Sequence, residues 1–343
     1  MYTIKKVIFV LIILTFLSCV NKDRYPYKVS DFRTELEGPL KKLATEKELP
    51  IKDTIAQNYI RDHSSKQELL QVLNCNNPLL RVVAYRAIVN RKETDYFKIL
   101  LGHLNDTTKI VWWYYEDAAG EFTVSDLLIR KAVDGNKLSK NEKKILVDSV
   151  LLKHPYLETA MWMIQDIEPQ EKYYAIIKEK CKIKTNRCGE QLSACYALSK
   201  FRKKEDLALL KETFNKLENP CEDWVFKSIE ENPQEIYFPI LKKYYDTVIK
   251  KGKQFSSDDL KYFCRAVAVY KNEESLSLLM AILDKSNQSV NDYFKYNQDN
   301  VFRAIHKYKS PVYQKVYTQL KPKMSYYVIE YLDKPDYDDT KTW

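Results

Sequence analysis

Glycine is scarce in this chain: only 6 of its 343 residues are glycine, where an average protein has about 7%. Phosphate-binding loops and tight hairpin turns depend on glycine, so its scarcity disfavours both and favours helices. The four histidines form no His-Glu-x-x-His pattern, and neither a Gly-x-Ser-x-Gly elbow nor a Walker-type lysine loop is present. We therefore predict no catalytic residue, no metal ligand and no cofactor.

Long apolar runs are also rare. The one at residues 7–17 follows Lys5 and Lys6. It is too short for a membrane-spanning helix of about 20 residues and is typical of the apolar region of a secretory signal. The sequence therefore predicts export, with no membrane-spanning helix later in the chain.

The charge is basic but dispersed: 56 Lys and Arg residues against 47 Asp and Glu residues give a formal net charge of +9. No segment gathers this charge into a basic arm, so we expect no nucleic-acid partner. With 45% hydrophobic and 30% charged residues, the chain falls in the range of folded proteins.

The apolar run ends in Phe16, Leu17, Ser18 and Cys19, which resembles the lipobox of bacterial lipoproteins. Phe16 stands where that family usually has Leu, and Leu17 where it usually has a small residue. The resemblance implies cleavage after residue 18, acylation of Cys19 by chains such as palmitate, and, from Val20, sorting to the outer membrane. The alternatives are a soluble secreted protein and a short uncleaved anchor.

Seven cysteines are present. Three recur every seven residues, at Cys181, Cys188 and Cys195, but zinc sites more often pair ligands at closer spacing, so we predict no metal site. Most of the cysteines are expected to be small core residues, and one disulfide among Cys181, Cys188 and Cys221 is an open possibility. The pairing stays open among six residues: Cys75, Cys181, Cys188, Cys195, Cys221 and Cys264.

The mature chain divides into three predicted segments: a tether at 19–52, a helical array at 53–332 and an acidic tail at 333–343. The tether contains Pro26 and Pro39 and few clustered apolar residues, which suits a spacer. The tail lacks the pattern of a calcium loop.

Helical spacing of apolar residues dominates the array, and no stretch alternates with period two, so we expect little or no sheet. Capping boxes are predicted where Ser65 precedes Glu68 and where Ser139 precedes Glu142. A further helix start is predicted at Asn77, because a proline follows it.

Paired helical segments recur along the array, at 81–88 with 96–101, 192–198 with 207–210, and 262–267 with 276–279. The pattern Asn-Pro-x-x-Arg-x-x-Ala-x-x-Ala-Ile at residues 77–88 is similar to a HEAT repeat. The resemblance implies an all-α fold, an α/α solenoid of about six degenerate HEAT-like hairpins. It also assigns Arg81, and Asp106 with it, to the Asp and Arg ladder of such repeats.

An aromatic segment interrupts this array, and its residues are the candidate ligand contacts: Trp112, Trp113, Tyr114, Tyr115, Glu116 and Asp117. Four adjacent aromatic side chains cannot all point inward from one helix, so some should reach the surface, where aromatic residues are enriched at binding sites. The alternative is that the segment folds back and plugs the end of the solenoid. The carboxylate pair 116–117 is interpreted as a solvated edge, and the pair 258–259 as a match for the dipole at a helix N-terminus. Neither is interpreted as an acid and base.

These features predict a lipid-anchored, non-enzymatic scaffold of the cell envelope, on its periplasmic or outer face, that binds a protein or peptide partner through a helical-repeat surface. One alternative is an envelope enzyme that acts on glycan or peptide with carboxylates near the aromatic segment. Another is an immunity protein that neutralises a toxin. A carboxylate pair bonded to a tryptophan in a closed cleft would favour the enzyme.

Overall fold

The computed structural model describes residues 25–50, 52–134, 138–184, 188–216, 221–251, 257–284 and 294–332. The predicted signal peptide at 1–18, Cys19 and the predicted tail at 333–343 lie outside these residues. The described chain forms two compact units, one up to Ala160 and one from Met161. It is mostly helical, as predicted, with a small sheet of three strands.

The described residues of the first unit form α1 (Thr34–Thr45), α2 (Ile55–His63), α3 (Lys66–Leu73), α4 (Pro78–Asn90), α5 (Tyr96–Gly102), α6 (Val124–Val133) and α7 (Lys140–Lys153). The capping predictions for this unit are confirmed. The capping boxes at Ser65 and Ser139 close with Glu68 and Glu142. The side chain of Asn77 accepts hydrogen bonds from two N–H groups in the first turn of α4.

Most of the predicted tether is folded. Within the segment 19–52, the described residues 25–50 include α1, and its Leu36, Leu40 and Leu43 are fully buried. Helix α1 packs against α2 and α4 because the three leucines share one face of the helix. Residues 25–50 therefore belong to the first unit and do not form a free spacer.

Little sheet is present, as expected, but the sequence did not locate it: the described residues form three strands, β1 (Glu48–Leu49), β2 (Lys109–Tyr115) and β3 (Ala118–Thr123). The order is β1-β2-β3, with β1 parallel and β3 antiparallel to β2. Aromatic residues favour strands, but four of them in succession conceal the period-two alternation that normally identifies a strand.

The second unit contains α9 (Glu171–Lys182), α10 (Cys188–Ser199), α11 (Leu207–Asn215), α12 (Glu222–Glu231), α13 (Phe238–Tyr244), α14 (Ser257–Ala268), α15 (Glu273–Ile282), α16 (Phe294–Lys307), α17 (Gln314–Leu320) and α18 (Tyr326–Glu330). Helix α8 (Thr159–Gln165) begins at the division. One row of helices, each packed on the next, is formed by α10, α12, α14 and α16. Beside this row, each of α11, α15 and α17 packs on the row helix that precedes it in the chain.

A disulfide joins Cys181, in the last turn of α9, to Cys195 in α10, with the two Cα atoms 5.1 Å apart. The sequence raised a bridge among Cys181, Cys188 and Cys221. Cys221 is also disulfide-bonded, whereas the pairing of Cys181 with Cys195 was not anticipated. Among the described cysteines, Cys75 and Cys264 are free and buried, as expected for core residues.

Candidate ligand-contact site

The six candidate ligand contacts all lie on one β-hairpin. Strands β2 and β3 are joined by the turn residues Glu116 and Asp117. Gly120 lies opposite Trp112, where a Cβ atom would come within 2.9 Å of the Phe122 ring. The absence of a side chain at Gly120 thus lets aromatic rings pack across the hairpin.

One side of the hairpin, here called the inner face, carries Ile110, Trp112, Tyr114 and Phe122. The ring centroid of Trp112 lies 5.9 Å from that of Tyr114 and 5.6 Å from that of Phe122. Ile110 and Phe122 are buried. Strand β2 contacts α4, and β3 contacts α6, so this face attaches the hairpin to the helices.

Two arginines from these helices lie beside the Trp112 ring. The Cζ atoms of Arg86 and Arg130 are 5.9 Å and 5.5 Å from its centroid. Burial lowers the pKa of both guanidinium groups, that of Arg130 to about 10, against the opposing effect of nearby carboxylates. The carboxylates of Asp53 and Glu158 lie 3.8 Å from Arg86 and 4.0 Å from Arg130. The inner face is therefore a desolvated cluster of rings and compensated charges.

The opposite side, here called the outer face, carries Lys109, Trp113 and Glu121, with Glu48 from β1. The indole N–H of Trp113 donates to Oε2 of Glu48 at 2.6 Å. Nζ of Lys109 lies 2.7 Å from Oε2 of Glu121. Glu48, Lys109 and Glu121 are exposed and Trp113 is partly exposed, so this face is open to solvent.

The structure divides the candidate residues between these faces. Trp112 lies on the inner face and Trp113 on the outer face. At the far end of β2, Tyr114 is 37% exposed and Tyr115 is 67% exposed, and Glu116 and Asp117 are exposed in the turn. Part of the segment is exposed, as expected, and another part packs against helices. The lipidation candidate Cys19 lies outside the described residues.

A buried ion pair lies near the hairpin. Nε and Nη2 of Arg81 donate to the two carboxylate oxygens of Asp106 at 2.7 Å and 3.2 Å. Nη2 also donates to Thr108, and Nη1 donates to the backbone carbonyl of Cys75. The ring of Tyr25 covers the guanidinium, 3.9 Å from Cζ. Burial alone would raise the pKa of Asp106, but the hydrogen bonds and charge of Arg81 lower it overall.

Sequence reasoning missed a group of carboxylates in the second unit. Glu222 and Asp223 begin α12, and burial, with a contribution from Asp259 of α14, raises the pKa of both. Nζ of Lys227 lies 3.3 Å from Oδ2 of Asp223. Raised carboxyl pKa values occur at active sites and in ordinary helix packing alike. The side chain of Asp258, which the sequence pairs with Asp259, lies outside the described residues.

The second unit also has an open cleft of about 770 Å³ between α16 and α17. It is lined by Ile305, His306, Lys309, Ser310, Pro311, Tyr313, Gln314 and Tyr317. Among the described residues, no three His, Cys, Asp or Glu side chains are arranged to bind a metal ion. No described helix has the length and apolar character needed to cross a membrane.

Comparison with known proteins does not assign the chain to a family. No family model, curated protein or solved structure matches the chain at a significant level.

Proposed function

We propose that the chain is a lipid-anchored binding protein of the bacterial cell envelope that recognises a protein or peptide partner and carries out no catalysis. The observation that carries this proposal is the outer side of the β2–β3 hairpin. It leaves Trp113 partly exposed beside the exposed carboxylate of Glu48, and Tyr115, Glu116 and Asp117 are exposed at the adjoining end of the hairpin. Tryptophan and tyrosine are enriched at the centres of protein interfaces, where their burial contributes much of the affinity.

The two faces of the hairpin carry aromatic side chains with different roles, which supports a binding role. Trp112 and Phe122 on the inner face already attach the hairpin to α4 and α6. Trp113 remains partly exposed on the outer face, and Tyr115, whose ring centroid lies 5.4 Å from that of Tyr114, is 67% exposed, so both retain surface for a partner. A rigid strand pair also holds them in fixed positions, which reduces the entropy lost on binding.

The proposal includes an α/α solenoid of HEAT-like hairpins as the scaffold. The row formed by α10, α12, α14 and α16, with α11, α15 and α17 beside it, supports this arrangement. The buried Arg81–Asp106 pair supports the resemblance to HEAT repeats at α4. In such a scaffold each hairpin buries its apolar face against its neighbours.

The proposed location rests on Cys19 and the preceding apolar run. The Cys181–Cys195 disulfide supports export, because disulfides persist mainly in oxidising compartments outside the cytosol. Attachment by two or more acyl chains would hold the protein firmly on a membrane. Cys19→Ser should move the protein from the membrane fraction to the soluble fraction, and unchanged fractionation of a folded variant would refute the anchor.

The competing proposal is an envelope enzyme acting on glycan or peptide. It requires a carboxylate pair in a closed site beside Trp112 or Trp113. The carboxylate bonded to Trp113 belongs to Glu48, which is exposed, and Glu116 and Asp117 lie in an exposed turn. This geometry favours binding over catalysis. Neutralisation of a toxin would be a special case of the same binding function.

The proposed function can be tested by site-specific photo-crosslinking in intact cells. A photo-reactive residue at position 115 should capture one defined protein, which is then purified and tested for direct binding. Trp113→Ala should reduce that binding at least tenfold while leaving the melting temperature nearly unchanged. A photo-reactive residue at position 326, another exposed tyrosine, is the matched control and should not capture the same protein. Equal losses of binding and folding would contradict the proposal.

A further inference from the structure

The sheet has the opposite charge to the rest of the chain. Residues 46–49 and 109–123 contain five carboxylates and two lysines, a formal net charge of −3, whereas the whole chain carries +9. These segments supply β1, β2, β3 and the turn between β2 and β3. A local acidic surface on a basic protein attracts positively charged groups at short range, within a Debye length of about 8 Å.

The carboxylates differ in how well they are neutralised. Glu121 forms an ion pair with Lys109, and Glu48 accepts the hydrogen bond of the Trp113 indole. The carboxylates of Glu116 and Asp117 form no ion pair or hydrogen bond with the described residues. Two uncompensated negative charges therefore lie at the exposed end of the hairpin, next to Tyr115.

The aromatic rings add a second attraction for cations. A lysine or arginine side chain binds favourably over the face of a tryptophan or tyrosine ring. The carboxylate of Glu48 places negative charge beside the Trp113 ring through its bond to the indole nitrogen. Tyr115, which is 67% exposed, follows on the same strand. Rings and carboxylates together match the apolar stem and charged head of a long basic side chain.

We propose that the hairpin binds a lysine- or arginine-containing segment of its protein partner, with the cationic group between the aromatic rings and the carboxylates of Glu116 and Asp117. This inference rests on the proposed function and specifies the chemistry of the partner. It excludes nucleic acid and other polyanions as occupants of this surface, because the uncompensated charges here are negative.

The test is a selection from a library of random linear peptides on the purified full-length protein. Peptides retained by the wild type should be enriched in Lys and Arg over the input library. For a selected peptide, Glu116→Gln/Asp117→Asn should weaken binding by about threefold to tenfold, since exposed ion pairs and cation–π contacts contribute modestly. Binding to the wild type should also weaken as salt rises.

The matched control is Glu330→Gln, which removes one negative charge beside the exposed Tyr326 and Tyr327 and should leave affinity unchanged. A retained pool that depends on Trp113 but shows no excess of Lys or Arg overturns this inference and leaves the proposed function standing. A selection that yields no pool dependent on the hairpin also overturns it. The crosslinking experiment in cells then decides the proposed function separately.

Discussion

The two units each contain a buried arginine that pairs with a carboxylate, but the two pairs differ in their surroundings. In the first unit, the side chains of Arg81 and Asp106 are each 1% exposed. In the second unit, Nε of Arg265 donates to Oε1 of Glu230 at 2.8 Å, and Lys307 and Tyr308 bind the same oxygen. That carboxylate is 10% exposed. The Arg81–Asp106 pair is therefore closed to solvent, whereas the carboxylate of the Arg265–Glu230 pair is shared by three donors.

This difference decides what each pair contributes. Inside the first unit, two of the five hydrogen bonds that Arg81 donates go to Asp106. Both side chains are buried, so the loss of either leaves a desolvated charge. At Glu230, three donors meet near the surface, and solvent can replace a lost partner. Similar residue pairs therefore should differ severalfold in their contribution to the free energy of unfolding.

The largest effect is expected for Asp106→Ala. Removing the carboxylate leaves the Arg81 guanidinium buried without its counter-ion, and such losses cost about 3–5 kcal/mol. Denaturant unfolding should measure the loss, and hydrogen exchange should locate it in α4. A loss below about 1 kcal/mol would show that water or a neighbouring acceptor compensates the arginine.

The same pair predicts a pH dependence. Because Arg81 lowers the pKa of Asp106 in the folded protein, the pair contributes its full stabilisation above the unfolded carboxyl pKa of about 4. That contribution is lost as the pH falls through the lower folded value. The stability difference between wild type and Asp106→Asn should therefore shrink in acid, and a constant difference would contradict the assignment.

In the second unit, the largest loss is expected from Cys181→Ser/Cys195→Ser. The disulfide links residues 14 positions apart, and closing a loop of this size stabilises a fold by about 3 kcal/mol. Thermal unfolding with and without reductant provides the measurement. Reductant should destabilise the wild type more than the variant, because the variant has already lost this bridge and keeps the disulfide of Cys221.

Glu230→Gln should cost less, about 1.5 kcal/mol, which is the scale of a hydrogen bond to a charged group. Denaturant unfolding of this variant and of Asp106→Asn compares the shared pair with the closed pair, because both substitutions replace a carboxylate by the corresponding amide. Equal losses would remove the distinction between the two units.

The smallest effect is expected for Trp113, which is best compared with the adjacent Trp112 of the hairpin. Trp112→Ala should lower the free energy of unfolding by about 2–3 kcal/mol, because its ring packs among Phe122, Arg86 and Arg130. This is somewhat below the usual range for fully buried aromatic residues, since Trp112 is partly exposed. Trp113→Ala should cost under about 1 kcal/mol. Thermal melting of both variants tests the assignment of faces, and reversed losses would show that Trp113 is the packed ring.

Much of the helical structure follows from local sequence. Ser65, Asn77 and Ser139 each start a helix as predicted, because a cap needs only a few neighbouring residues. The sheet was missed for a related reason: residues 112–115 are apolar on both faces, so no alternation marks them as a strand. Gly120 and the strand preference of aromatic residues were the available signals.

Long-range contacts in the site could not be predicted in the same way. Nothing in the local pattern brings Glu48 to Trp113 across 65 residues. Cys181 and Cys195 form a disulfide because α9 packs on α10. The spacing of the cysteines alone does not predict which faces of the two helices are in contact. The sequence identified the six candidate residues as one segment, but their division between two faces depends on the strand pairing.

The attachment of the first residues to the first unit limits where the protein can work. Tyr25 covers Arg81, and Tyr27 pairs with Cys75, so the described part of the fold starts six positions after Cys19. Six residues of extended chain reach about 20 Å. If Cys19 carries the proposed lipid, the first unit is confined to a thin layer at the bilayer surface, and its partner must be met there and not deep in the surrounding compartment.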